Sequence, residues 1–162
     1  MIVLVCNAGS TSLKFKLFDM PAETLLASGK IERVGSRDDA IFQYGDAQRT
    51  IRREAQCIPD YRTGVTAFMD LLLRKNGGML DALAQIERVG FKTVLSRGYF
   101  GVHELTQDVL QGMRDWMIIA RTHSEPYLEV IQTVRDALPE ATFIGSFETG
   151  FHTTVPLHRR IY

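Results

Sequence analysis

A short loop of small polar residues lies near the amino terminus. Residues 7–14 contain Asn7, Gly9, Ser10, Ser12 and Lys14. Closely spaced backbone N–H groups, an amide, two hydroxyls and a lysine are donors that suit the oxygens of a phosphate group, and Gly9 permits close approach. The same residue types are common in ordinary turns, so a plain hairpin turn remains the alternative on this pattern alone.

The elements that must position this loop are two predicted strands. Residues 2–6 form an apolar run, and after the loop Leu13, Phe15 and Leu17 alternate with Lys14 and Lys16. That period of two is typical of a half-buried strand. Because the loop joins a strand to a strand, it is neither a Walker A loop nor a dinucleotide fingerprint, both of which lead into a helix.

The rest of the chain predicts an α/β layer fold with a mixed sheet flanked by helices. Further strands are predicted over residues 25–34, 40–44, 48–53, 88–95 and 142–147, and helices over 61–75, 106–120 and 123–138. Strands dominate before residue 54 and alternate with helices after it, which is the pattern of such folds. The sequence contains no repeat or linker, so residues 1–162 are expected to form a single domain.

Composition excludes several classes of function. The chain has 162 residues and a formal net charge of zero, which argues against binding to nucleic acid or to an anionic membrane surface. No apolar stretch approaches the length of a membrane span. Cys6 and Cys57 lack C-x-x-C spacing, so two free thiols in a reducing cytoplasm are expected rather than a disulfide.

Four segments in order carry a family resemblance. They read N-A-G-S-T-S-L-K at residues 7–14, V-G-F-K at 89–92, T-H-S-E-P at 122–126 and F-E-T-G-F-H at 147–152. They resemble the signatures N-A-G-S-S-S-L-K, G-H-R-V-V-H-G-G, L-H-N-P and F-D-T-A-F-H of the acetate kinase family, which includes propionate and butyrate kinases.

The resemblance implies a ribonuclease-H-like domain of the actin, hexokinase and heat-shock ATPase superfamily. It covers only the amino-terminal half of such an enzyme, whose ATP site lies between two domains. A missing second domain or a homodimer partner is therefore expected, and the isolated chain is expected to be inactive. The implied reaction is ATP-dependent phosphorylation of a short carboxylate with Mg²⁺ in the cytoplasm.

The resemblance also implies roles for individual residues. Lys92 stands at the arginine that grips the carboxylate and the phosphoryl group, His123 at a histidine that bonds the phosphoryl group, and Glu148 at an aspartate that works with magnesium. Asn7 would share that metal site. The cofactor phosphates would be bound by Asn7, Ser10, Ser12 and Lys14, and the acyl pocket would include Thr93 and Thr122. His152 also aligns, with a structural role expected.

Departures from the family pattern leave three hypotheses open. Lysine at position 92 cannot make the bidentate fork of arginine, although Arg97 or Arg121 could supply a guanidinium if they are not plain surface charges. Thr93 and Thr122 replace apolar pocket residues, and a hydroxyl buried without a partner costs about 1–3 kcal/mol. The chain is then an acetate kinase domain, a relative acting on a more polar carboxylate, or a non-catalytic phosphate-binding or interaction domain.

Two unrelated types of site are disfavoured. Ser10, His123 and Glu148 could be imagined as a hydrolase triad, but Ser10 does not lie on a strand-to-helix elbow. The four histidines of the sequence lack the close spacing of a zinc site.

Overall fold

The computed structural model describes residues 1–36, 40–46, 52–74, 78–150 and 155–159, without the side chains of 52–54, 120–123 and 157. Eight strands and three α-helices make up this part of the chain. The strands are β1 (Ile2–Ala8), β2 (Ser12–Asp19), β3 (Thr24–Glu32), β4 (Ala40–Asp46), β5 (Arg52–Gln56), β6 (Ile86–Thr93), β7 (Gly101–Glu104) and β8 (Thr142–Phe147). The helices are α1 (Tyr61–Leu72), α2 (Gln107–Asp115) and α3 (Met117–Ala137).

All eight strands form one mixed sheet in the order β5-β4-β3-β2-β1-β6-β8-β7. Strands β1 to β5 pair antiparallel with their sequence neighbours, while β1 pairs parallel with β6 and β6 pairs parallel with β8. The short edge strand β7 pairs antiparallel with β8. The carboxyl ends of β1, β6 and β8 therefore lie at one edge of the sheet, and the predicted mixed sheet is confirmed.

One face of the sheet is covered by the helices. The ring of Phe68 from α1 stacks on Phe15 of β2, with ring centroids 4.5 Å apart, and Gly64 of α1 lies over Leu13 and Ile31. Arg135 of α3 lies 5.1 Å from the centroid of the Phe143 ring on β8. These side chains share what we call the helix-covered face.

The other face is more exposed. In register across three strands it carries Val5 of β1, Lys14 and Lys16 of β2, and Lys92 of β6. All four are exposed, and a Cβ placed on Gly90 of β6 would meet no heavy atom within 4 Å. We call this side, together with Lys30 of β3 and Ser146 of β8, the open face.

Helix α1 follows its sequence signals closely. Asp60 caps its amino end by accepting a 2.7 Å hydrogen bond from the backbone N–H of Thr63, and the same interaction lowers the pKa of the Asp60 carboxyl group. The predicted apolar stripe is largely buried, through Val65, Phe68 and Leu72. The structure ends the helix at Leu72, and residues 75–77 lie outside the described part.

The boundary between the last two helices was predicted wrongly. The expected helices 106–120 and 123–138 are instead α2, capped by Thr106, and the long α3, with a break at Trp116. Pro126 lies inside α3, where it removes one backbone donor. Buried Tyr127, Val130 and related side chains hold this helix against the sheet, so tertiary packing overrides the local proline signal.

Two strands also differ from expectation. The predicted strand 48–53 is observed as Arg52–Gln56, and residues 47–51 lie outside the described part. Strand β7 was not predicted, because it has only four residues and contains or follows glycines at positive φ: Gly98, at 82°, precedes it, and Gly101, at 78°, is its first residue.

Both cysteines are free, as predicted. Cys6 is buried in β1, and this burial raises the pKa of its thiol far above the ordinary range, whereas Cys57 is exposed. No helix in the described ranges is long and apolar enough to cross a membrane.

The substitution Gly29→Ala should destabilise the sheet. A Cβ at Gly29 would lie 2.5 Å from the Phe68 ring that stacks on Phe15, and such overpacking costs about 1–3 kcal/mol. The matched control is Gly90→Ala, whose Cβ enters open space and whose lower unfolded-state entropy favours folding by about 0.5 kcal/mol. Urea unfolding of both variants measures the difference, and equal effects would contradict the packing argument.

Candidate functional site

The turn after β1 is closed by its own backbone and by a tyrosine. The N–H of Gly9 donates to the carbonyl oxygen of Ser12 at 2.7 Å, and the hydroxyl of Tyr61 donates to the Gly9 carbonyl oxygen at 2.6 Å. A Cβ at Gly9 would lie 2.7 Å from Ser12 Oγ, so this position favours glycine. Ser10 and Thr11 are exposed. The loop is thus tied to the first residue of α1 and presents its hydroxyls outward.

A second tyrosine, on α3, contacts the carboxyl-terminal end of β1. The hydroxyl of Tyr127 donates to Asn7 Oδ1 at 3.3 Å, and the Tyr127 side chain is 4% exposed. Burial raises the pKa of this hydroxyl, the positive charge of Lys92 lowers it, and the negative charge of Glu148 raises it. Tyr127 therefore lies within electrostatic reach of two predicted catalytic residues and in contact with a third site residue.

Lys92 and Glu148 form an ion pair. Lys92 Nζ lies 2.6 Å from Glu148 Oε1, and the two side chains are 49% and 50% exposed. The hydrogen bond that the Lys92 ammonium donates to the Glu148 carboxylate is the main reason that the pKa of Lys92 is raised, against a smaller opposing effect of burial. The ammonium group is therefore firmly protonated at neutral pH, and both partners remain open to an incoming ligand.

Strand register explains why these groups meet. Cys6 of β1 pairs with Phe91 of β6, so Asn7 and Lys92 are the next residues on neighbouring parallel strands. Lys92 pairs in turn with Ser146 of β8, and Glu148 follows the end of that strand. Ligand crevices of α/β folds open at such carboxyl ends. The expectation that the loop after β1 and Glu148 approach the same edge is confirmed.

Lys14 lies beside this cluster as the register partner of Asn7. Its side chain is exposed on the open face, and it forms no ion pair with any residue in the described ranges. Ser12 is partly buried, with its backbone carbonyl engaged in the turn.

Thr93 is placed differently from Lys92. It is 0% exposed and pairs with buried Phe147, on the helix-covered face, whereas the neighbouring Lys92 lies on the open face. Its Oγ1 is buried with no hydrogen-bond partner in the described part of the chain, as is Oγ1 of Thr149 beside Glu148. The side chain of Thr93 is thus on the helix-covered face of β6, opposite to that of Lys92.

The other predicted residues divide into two groups. Arg97 lies 3.7 Å from Asp115 in a salt bridge with α2, which occupies it away from Lys92. The side chains of Arg121, Thr122 and His123, and the whole of His152, lie outside the described residues. For Arg121, Thr122 and His123, which belong to α3, only the backbone is described.

The donors at this edge would suit the magnesium ion that the family resemblance implies, if the ion is shared with substrate phosphates. No three His, Cys, Asp or Glu side chains in the described ranges are grouped to hold a metal. Glu148 and Asn7 offer one carboxylate and one amide oxygen on neighbouring parts of the edge. Mg²⁺ is commonly held by one or two carboxylates together with substrate phosphates, and this donor set matches that arrangement.

Sequence reasoning missed Tyr61 and Tyr127. Their hydroxyls contact residues 52 and 120 positions away in the chain, so no local pattern reveals either contact. The signal available in the sequence was the position of each tyrosine. Tyr61 begins a predicted helix, and Tyr127 directly follows the T-H-S-E-P segment.

Known proteins resemble this chain along its whole length. A family model described as the Acetokinase family matches residues 2–162. The chain belongs to that family. The acetate kinases of Geobacillus kaustophilus and Symbiobacterium thermophilum are similar to it, with 35% identity over 99% of the chain and 36% over 100%. The chain spans about two fifths of their length, 40% in each case.

Solved structures agree on the fold. The crystal structure of Porphyromonas gingivalis acetate kinase matches 97% of this chain at 26% identity with a TM-score of 0.88. A propionate kinase from Francisella tularensis matches at 23% identity with a TM-score of 0.82, which shows the fold alone. In each case the match covers 39% of the solved chain. The predicted ribonuclease-H-like fold is confirmed.

The two tyrosine hydroxyls should contribute to stability. Tyr61→Phe and Tyr127→Phe each remove one hydrogen bond to the β1 end, which should lower the free energy of unfolding by about 0.5–1.5 kcal/mol. Tyr44→Phe is the control, because that hydroxyl has no hydrogen-bond partner in the described ranges. Urea unfolding of the three variants compares them, and an equal loss for Tyr44→Phe would refute the assignment.

Thr93→Val should stabilise the chain. The substitution keeps the shape of the side chain and removes a buried hydroxyl without a partner, which should raise the free energy of unfolding by about 1 kcal/mol. Thr133→Val is the matched control, since Thr133 Oγ1 donates to the Glu129 carbonyl oxygen at 2.9 Å, and it should be neutral or destabilising. A loss of stability in Thr93→Val would show that this hydroxyl has a partner.

Proposed function

We propose that this chain is the phosphate-binding half of an ATP-dependent kinase for short carboxylates, acting in the full two-domain enzyme. In this proposal residues 1–162 are one ribonuclease-H-like domain. The observation that carries it is the half-exposed Lys92–Glu148 pair beside the Asn7 loop, at the carboxyl ends of three parallel strands. Curated relatives named acetate kinase over the whole chain support the reaction class.

Phosphoryl transfer of this kind needs positioning and charge neutralisation more than a covalent catalyst. In our proposal the amides and hydroxyls of the Asn7–Ser12 loop, with Lys14, bind the cofactor phosphates. Tyr61 and Tyr127 hold that loop and the Asn7 amide in place through their hydroxyl groups. The donors are therefore oriented before a ligand arrives, which avoids reorganisation during the reaction.

Lys92 is proposed to take the carboxylate of the acceptor and the phosphoryl group in transit. Its ammonium is already paired with a carboxylate, that of Glu148, at 2.6 Å. An incoming carboxylate or phosphate offers the same kind of acceptor, and both partners are half exposed, so one anion can replace another at the lysine. His123 is proposed to bond the phosphoryl group, as the family resemblance implies.

Magnesium, when bound with ATP, supplies neutralisation of charge on the transferring phosphoryl group. Glu148 and Asn7 are the residues proposed to face it. Release of Glu148 from Lys92 leaves its carboxylate free for that purpose, while Tyr127 keeps the Asn7 amide oriented. A cytoplasmic location belongs to the same proposal, because the two cysteines are free thiols.

A more polar carboxylate is the second candidate substrate. The buried hydroxyls of Thr93 and Thr149 have no hydrogen-bond partner among the residues that the structure describes, and each residue is next in sequence to a member of the ion pair. A site with such groups favours an acceptor that carries a hydroxyl or amide, because acetate would leave them unpaired. Thr122 is proposed as a further pocket residue on the resemblance alone.

Alone, these 162 residues are proposed to bind ATP weakly and to lack turnover. It spans about two fifths of its relatives, and the family resemblance assigns the adenosine site to the other half. A phosphate ion would still bind at the Asn7–Ser12 loop. Calorimetry that found micromolar ATP binding to these 162 residues would contradict this part of the proposal.

The substitution Lys92→Arg tests the proposed role of the lysine in the full-length protein that carries this domain. Arginine can grip a carboxylate with two hydrogen bonds, so kcat/KM for acetate should rise about tenfold. Lys16→Arg, on the same open face, is the control and should leave kcat/KM unchanged. The readout is a coupled assay of acetyl phosphate formation.

The outcomes separate the candidates. A higher kcat/KM for acetate in Lys92→Arg supports the acetate kinase reaction. If kcat/KM for a hydroxy acid is high in the unmodified protein and lower in Lys92→Arg, the more polar carboxylate is favoured as the substrate. If neither variant nor the unmodified protein phosphorylates any short carboxylate, the chain is a non-catalytic relative and the proposal is wrong.

A further inference from the structure

The corner between α2 and α3 carries the two most exposed large apolar side chains among the described residues. Ile118 is 92% exposed and Ile119 is 70% exposed, and both come directly after the break between the helices at Trp116. Apolar side chains that are exposed singly are common on protein surfaces, whereas adjacent ones at this level of exposure indicate a contact surface. We call residues 116–119 the helix corner.

The core of this chain does not account for the two isoleucines. The side chains that pack α3 onto the sheet recur along one stripe of the helix, through Tyr127, Val130 and Val134. Ile118 lies nine residues before Tyr127, which is two and a half helical turns, so it is on the opposite side of the helix. Ile119 lies to one side of the stripe by the same geometry. Their apolar surface is therefore available to another partner.

The helix corner lies beyond the sheet edge that holds the candidate site. Asp115, at the end of α2, is 3.7 Å from Arg97, which follows the carboxyl end of β6. Farther along α3, Tyr127 contacts Asn7 at the carboxyl end of β1. Ile119 precedes Tyr127 by eight residues, and the rise of the helix places it about 12 Å beyond that contact. The first turns of α3 thus form a wall that projects past the site.

This position indicates what covers the corner. A second domain that encloses a ligand at this sheet edge must come against the projecting wall. The chain spans 40% of the length of the two acetate kinases to which it is similar, so the proposed function includes such a domain. Arg114, at the same corner, is exposed and forms no ion pair with any residue in the described ranges. The surface therefore fits a partner that presents apolar side chains and a carboxylate.

We propose that Ile118 and Ile119, with Arg114, form a docking contact for the second domain of the full-length protein, separate from the residues that bind the ligand. The inference rests on the proposed function, because that domain is part of it. Burial of the isoleucines favours the arrangement in which both domains enclose the nucleotide. Loss of the contact then weakens nucleotide binding and leaves the fold of residues 1–162 unchanged.

Alkylation of an introduced thiol tests whether the corner is covered. In Ile118→Cys, the rate of reaction with iodoacetamide, followed at that position by mass spectrometry, should be at least fivefold lower in the full-length protein than in residues 1–162 alone. Glu140→Cys is the matched control. Glu140 is exposed just before β8, at the opposite edge of the sheet, so its rate should be the same in both proteins.

Kinetics of the full-length protein test what the contact does. The double variant Ile118→Ser/Ile119→Ser removes apolar surface with little change in helix propensity, so kcat/KM for ATP should fall about tenfold. Ile118→Leu/Ile119→Leu keeps the apolar surface and should retain kcat/KM within about twofold. Urea unfolding of residues 1–162 should give the same free energy for both variants and the unmodified chain, because the substituted side chains are exposed.

Each result decides the inference. Equal alkylation of Ile118→Cys in the two proteins overturns it, and so does an unchanged kcat/KM in the serine variant. Alkylation that slows as the concentration of residues 1–162 rises assigns the corner to a second copy of this chain and also overturns it. If the full-length protein neither binds ATP nor phosphorylates a short carboxylate, the proposed function is wrong, while the alkylation comparison still decides whether the second domain covers the corner.

Discussion

The parallel pairing of β1 with β6, and of β6 with β8, is the constraint on which the site depends. The antiparallel hairpins β1 to β5 can form from local sequence, but the parallel pairs join segments about 80 and 50 residues apart in the chain. Only when they form do Asn7, Lys92 and Glu148 come to one edge. A register shift of one residue would send Lys92 to the helix-covered face, because successive strand residues point in opposite directions.

The ion pair at that edge explains how a strongly charged group is tolerated before a ligand arrives. Lys92 is half exposed, and the carboxylate of Glu148 balances the charge of its ammonium group while leaving that group accessible to solvent. An exposed pair of this kind contributes little to folding, so its two members can exchange partners at small cost. A deeply buried pair would be harder to open, and its partners would be poor ligands for a transient substrate.

Much of this fold follows from sequence. The alternation of Leu13, Phe15 and Leu17 with lysines gave β2 and its faces, and the apolar run at residues 142–147 gave β8 at its observed bounds. The family motifs located Asn7, Lys92 and Glu148. The long α3 through Pro126 was missed, because its stability comes from burial against other elements rather than from local preference. The roles of Tyr61 and Tyr127 were missed because each contact joins distant parts of the chain.

The hydroxyl of Tyr61 joins the amino end of α1 to the turn after β1, and this has a thermodynamic consequence. Opening of α1 and loosening of the turn at Gly9 are not independent events, since both break the same hydrogen bond. A ligand that binds only the ordered turn must therefore also favour the folded helix, by linkage. Packing changes far along α1, for example around Phe68, would then alter affinity at the loop without touching the ligand.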